Sequence, residues 1–79
     1  MVKVKLKEIL EREERSLNWV STKTGISYST LHKLNNGETK SITFDVLERI
    51  CLLFKIEVGD LLEIEPTQTN NIFENIKLL

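Results

Sequence analysis

Apolar and small residues fall at helical spacing in the middle of the chain. Leu17, Val20, Ser21 and Thr24 stand at offsets 0, 3, 4 and 7, which is one face of an α-helix. Ser16 in front of them is a suitable N-cap, and Gly25 behind them suits the left-handed position that ends a helix. Ile26 follows as an apolar plug after the turn, and Ser27 is the N-cap expected of a second helix. In that helix Leu31 and Leu34 are three residues apart, and Asn36-Gly37 stops the run. Ser16 to Gly37 therefore reads as two short helices, Leu17 to Thr24 and about Tyr28 to Asn35, joined in a helix-turn-helix.

The flanking pattern supplies three more helices. Val2, Val4 and Leu6 alternate with Lys3 and Lys5, which predicts a short extended arm from Met1 to about Val4. Leu6, Ile9 and Leu10 then predict a first helix from about Lys5 to Glu14. Its Glu8 and Glu11 lie three or four residues from Arg12 and Arg15, so ion pairs are expected along its outer face. Thr43 is the expected cap of a fourth helix over Phe44 to Phe54, with Asp45 in its first turn to complement the helix dipole. Val46, Leu47, Ile50, Cys51 and Phe54 form its inner face. A short fifth helix is expected from about Val58 to Glu63, with Leu61 and Leu62 inward and Gly59-Asp60 reading as a helix start rather than a strand. Trp19 falls off the strict inner face of its helix, so it either packs partly on a neighbouring element or serves as a partner contact.

Pro66 ends the regular pattern, and Thr67 to Asn71 is a polar linker. Ile72, Ile76 and Leu79 then recur as a short helix with an apolar face or as a strand. The expected organisation is an all-α five-helix domain over residues 1–65, followed by a linker and a C-terminal docking or dimerisation tail over residues 66–79.

Composition narrows the class. Seventy-nine residues suit one small domain with a modest core, for which dimerisation or a docked tail adds stability. No apolar run approaches the length of a membrane span, and the amino-terminal stretch lacks the layout of a signal peptide, so a cytoplasmic location is expected. The single cysteine, Cys51, sits in the apolar run of the fourth helix and reads as core. The net charge of −1 is unevenly spread: residues 1–15 carry a net +1, residues 16–44 a net +2, and residues 45–79 a net −4. Phosphate binding depends on the charges that meet it and not on the total, so the helix-turn-helix lies on the favourable side of the molecule.

The chain carries no catalytic constellation. The glycines stand alone, the one histidine, His32, belongs to a polar helix face, and Glu13-Glu14 implies no pocket. An enzyme is not expected, nor a cofactor, a metal site or a small-molecule ligand. The chemistry that remains is recognition of double-stranded DNA. In a helix-turn-helix the second helix enters the major groove with its N-terminal residues at the base edges. That places Ser27, Tyr28, Ser29 and Thr30 first, with His32 and Lys33 one turn further on. Hydroxyls read bases loosely or hold phosphate, Tyr28 suits a phosphate or a thymine methyl, and Lys33 suits guanine or phosphate. Asn36 and Lys40 are placed to grip the backbone.

The string Gly25-Ile-Ser-Tyr-Ser-Thr-Leu-His-Lys-Leu-Asn-Asn-Gly37, with Ile50-Cys51, Lys55-Ile56 and Gly59-Asp60-Leu61-Leu62 behind it, resembles the Xre family of phage repressor/Cro-type helix-turn-helix proteins, in particular its small stand-alone bacterial regulators. The resemblance covers about residues 5–64 and implies a five-helix, lambda-repressor-like domain that binds a palindromic operator as a homodimer. By position it implies that Ser27, Tyr28, Ser29 and Lys33 face the groove and that Asn36 and Lys40 contact the backbone. Two positions depart from the family pattern. Leu17 replaces a frequent Gln that touches phosphate, and Ser21 replaces a frequent Ala at the tight helix contact, where its hydroxyl can bond the carbonyl four residues earlier. The expected function is a transcriptional regulator, most simply a repressor. The alternative is a helical protein-interaction module, antitoxin-like, with weak or no DNA binding.

Overall fold

Five helices and a two-stranded antiparallel sheet make up residues 1–65, the part of the chain that the computed structural model describes. In chain order these are β1 (Val2–Val4), α1 (Leu6–Glu13), α2 (Leu17–Thr24), α3 (Tyr28–Asn35), α4 (Phe44–Phe54), α5 (Val58–Leu61) and β2 (Leu62–Ile64). The expected docking or dimerisation tail lies outside the described residues. None of the described helices is long and apolar enough to cross a membrane.

The helix starts follow from their caps. Ser16 Oγ accepts from the Trp19 N–H at 3.1 Å, Ser27 Oγ from the Thr30 N–H at 3.2 Å, and Thr43 Oγ1 from the Val46 N–H at 3.1 Å. Each bond satisfies a backbone donor that the first helical turn leaves unpaired. α2, α3 and α4 accordingly have the bounds the sequence predicts. Leu6, Ile9 and Leu10 of α1, Val20 of α2, Leu31 and Leu34 of α3, Ile50 and Cys51 of α4 and Leu61 of α5 are buried together with Ile26. Every helix thus contributes to one core, and helices this short depend on that burial rather than on their own propensity.

The two chain ends of the domain depart from expectation. α1 starts at Leu6 rather than Lys5 and ends at Glu13. The fifth helix stops at Leu61, and Leu62–Ile64 turns extended to pair with β1, in the register Val2–Ile64, Lys3–Glu63 and Val4–Leu62. Leu62-Glu63-Ile64 has the same two-residue alternation as the arm, so both strands present apolar side chains on one face and charges on the other. The Lys5 N–H donates to the Leu61 carbonyl at 2.7 Å and the Glu65 N–H to the Met1 carbonyl at 2.8 Å, closing both ends of the ribbon. The arm is therefore half of a small sheet and not a free extension.

That sheet redirects the expected ion pairs. Glu8 bonds Lys3 at 3.2 Å rather than Arg12, and Lys3 and Lys5 lie 3.8 and 4.0 Å from Glu65 and Glu63. Arg12 lies beside Glu13 at 3.5 Å. Arg15 lies over the Trp19 ring, 4.3 Å from its centroid, instead of pairing with Glu11. Trp19 in turn sits 6.1 Å from the Phe54 ring, so it is packed on a neighbouring helix, one of the two roles the sequence allowed. The Glu8 carboxyl is held below its ordinary range, first by its own backbone N–H and then by Lys3. A depressed carboxylate stabilises the fold above its unfolded pKa, and that contribution disappears as pH falls through the lower folded value.

Two helices end on non-glycine residues in the left-handed region, Glu14 at φ 55° and Lys55 at φ 56°. An L side chain there costs about 1–2 kcal/mol, partly offset by the chain entropy that glycine loses on folding. Lys55→Gly is expected to raise stability by about 0.5–1 kcal/mol. The check is the urea midpoint of the full chain at unchanged m-value.

Candidate nucleic-acid interface

The helix-turn-helix geometry is built from the turn outward. Gly25 has φ 78°, and its N–H donates to the Ser21 carbonyl at 2.9 Å. Ile26 is buried at 6% exposure and anchors the turn in the core. Of the carbonyls open to it, the Ser21 hydroxyl takes not the one four residues earlier but the one ahead, donating to the Ile26 carbonyl at 2.6 Å. The backward bond belongs to Thr24, whose hydroxyl donates to the Val20 carbonyl at 2.7 Å and accepts from the Ile26 N–H at 3.1 Å. Arg49 of α4 completes the turn. Its Nη1 donates to the Thr24 carbonyl at 2.9 Å while its Nε pairs with Asp45 at 3.2 Å. Arg49 is a positioning residue that sequence reasoning missed, because nothing local marks a bond across 25 positions.

α3 then has one possible orientation. Leu31 and Leu34 are 0% and 2% exposed, so the opposite side faces solvent. At about 100° per residue, Tyr28, Ser29, His32, Lys33 and Asn36 share an outward sector of about 140°. All five are exposed. Ser27 is exposed but committed to the cap, and its hydroxyl also donates to Thr30 Oγ1 at 2.8 Å. Thr30 is half-buried at the border of the sector, so its hydroxyl serves the cap more than the open face. Lys40 is exposed on the connector between α3 and α4, off the helix, and it shares a groove wall with Asn36 and Gly37.

Along the open face the side chains touch one another at four-residue steps. The Tyr28 and His32 rings lie 5.9 Å apart with a 30° interplanar angle. Asn36 Nδ2 is 3.3–3.4 Å from both ring nitrogens of His32 and donates to Glu38 Oε2 at 3.3 Å. Glu38 thus places a carboxylate beside the candidate face, a feature that the sequence reading counted only as charge. The spacing 28, 32, 36 is the signal from which this ladder was legible. The arrangement offers hydrogen-bonding groups and two lysine charges to a polyanion with patterned acceptors. It holds no cluster of three or more His, Cys, Asp or Glu side chains suited to a metal among the described residues.

Comparison with known proteins identifies the helix-turn-helix domain. The family model of the Cro/C1-type HTH DNA-binding domain matches residues 5–67. The chain is 34% identical over 55 residues to a Bacillus subtilis (strain 168) protein named as the uncharacterized HTH-type transcriptional regulator YozG, a match that covers 70% of this chain and 66% of that relative. No solved structure matches.

Ser21→Ala is expected to destabilise the domain by about 1 kcal/mol, because the Ile26 carbonyl loses its side-chain donor in a part-buried turn. The measurement is a denaturant titration, and an unchanged midpoint would show that the turn holds without this bond.

Proposed function

The chain belongs to the Cro/C1-type helix-turn-helix DNA-binding domains, and on that footing we propose that it acts as a sequence-specific transcriptional repressor. α3 enters the major groove, with Tyr28 and Ser29 at the base edges and His32 and Lys33 one turn along. Asn36 and Lys40 hold the phosphate backbone, and Ser27 and Thr30 keep the N-terminus of α3 in shape for that approach. Occlusion of a promoter is the simplest mechanism, since it needs nothing beyond the bound domain. The observation that carries the reading is the outward sector of α3 and its C-cap, where Tyr28, Ser29, His32, Lys33 and Asn36 are all exposed while Leu31 and Leu34 are buried.

One such face makes few contacts. Lys33 and Lys40 are its lysines, and Glu38 subtracts from their charge. Specific operators are read at about 10⁻⁸ M or tighter, which a single small module with two cations does not reach. The functional unit is therefore a homodimer on a palindromic operator, with its two α3 helices about 34 Å apart along one side of the duplex.

Selection from random DNA is expected to return a palindromic site, and sedimentation a dimer on it. Lys33→Ala and Tyr28→Ala are each expected to weaken binding to that site by about 1–3 kcal/mol. Lys40→Ala is expected to lower the salt slope by about one. Fluorescence anisotropy against salt reads all three. No binding at low salt, together with no effect of these substitutions, would instead leave a protein-interaction module that keeps the fold without the DNA contact.

A further inference from the structure

A groove of about 720 Å³ lies between the small sheet and the connector that follows α3. Its walls are Val2 and Val4 of β1, Leu62 of β2, Leu34 of α3 and Ile42 before α4. On the same sheet face Val2 and Ile64 are paired across the ribbon and are 63% and 75% exposed. Met1 beside them is 73% exposed. Large apolar side chains gathered at one end of a small sheet call for a cover.

We propose that residues 66–79 of the same chain cover this groove. Glu65 itself lines it, and the Glu65 N–H is fixed to the Met1 carbonyl at 2.8 Å, so the described part of the chain ends at the rim. The sequence beyond supplies Ile72, Phe73, Ile76, Leu78 and Leu79. A segment tethered at the rim competes at an effective concentration of about millimolar, well above that of a second copy at micromolar protein. Asn36, Gly37 and Lys40 line the same groove, so the cover braces the connector that carries the proposed backbone contacts. The inference stands on the apolar walls and the exit of the chain, and it does not require the DNA reading.

Paired cysteines in the full-length chain test it. Ser41 is exposed and lines the groove, so Ser41→Cys is combined in turn with Ile72→Cys, Phe73→Cys and Ile76→Cys. Glu48→Cys on the exposed side of α4 replaces Ser41→Cys in the control set. Cys51 is buried, and burial pushes its thiol pKa up, so it does not compete. Oxidation at micromolar protein and peptide mapping are expected to show an intrachain disulfide in at least one Ser41→Cys pair, formed at least ten times faster than in its control. Unchanged circular dichroism confirms the fold of each variant, and the three tail positions guard against the failure of any one. A disulfide that joins two chains would assign the groove to a second copy and overturn the proposal. Rates equal to those of the control would overturn it as well.

Discussion

Burial of Leu31 and Leu34 is the constraint on which the rest of the molecule depends. α3 has eight residues, too few to hold a helix in water without tertiary contacts. It is helical because its two leucines reach the core that α1, α2, α4 and α5 also line. Once they are inside, the helix has no rotational freedom left. Tyr28, Ser29, His32, Lys33 and Asn36 must point outward, and their order along the face is fixed by the helical repeat. The apolar positions thus determine which polar side chains of α3 face outward.

A fixed face also needs a fixed angle between α2 and α3, and polar bonds supply it. Three hydroxyl or guanidinium groups converge on the few residues of the turn: Ser21 on the Ile26 carbonyl, Thr24 on the Ile26 N–H and Arg49 on the Thr24 carbonyl. Each satisfies a backbone group that the end of α2 or the turn leaves open. Arg49 is the member that ties the pair to a third helix, and Asp45 holds its other nitrogen. A turn secured from the outside by α4 couples the recognition helix to the body of the domain.

The features legible in the sequence are those written in local spacing. Ser16, Ser27 and Thr43 mark helix starts through bonds to residues three positions on, so α2, α3 and α4 are read to the residue. The exposed sector of α3 is equally local, because it follows from where two leucines fall. What was not legible is pairwise and distant. Leu62-Glu63-Ile64 is three residues long, and at that length alternation cannot be told from the end of a helix until β1 is known to lie beside it. The same partner, unseen from the sequence, takes Glu8 for Lys3 and leaves Arg15 to Trp19. Ser21 was legible as small and polar but not in its acceptor, since the choice between a carbonyl behind and one ahead is made by the path of the turn. At the candidate site the face was legible and the commitments within it were not. Ser27 and Thr30 spend their hydroxyls on the cap, and Glu38 enters through Asn36.

Charge decides how such a face can be used. A protein that neutralises many phosphates binds all DNA tightly and loses that affinity steeply with salt. Here the lysines of the face are Lys33 and Lys40, while Asp45, Glu48, Glu57, Asp60, Glu63 and Glu65 lie on α4, α5 and β2 or just beside them. The attraction is weak and one-sided. Such a distribution favours approach by the helix-turn-helix and disfavours the acidic elements. On the proposed reading, base contacts from α3 carry the larger share of the binding energy, and each α3 offers few of them. In the proposed homodimer, two faces on one duplex would double those contacts while the net charge per chain stays at −1. A nearly neutral chain is in this way compatible with selective DNA binding, because what it gives up is nonspecific affinity rather than discrimination.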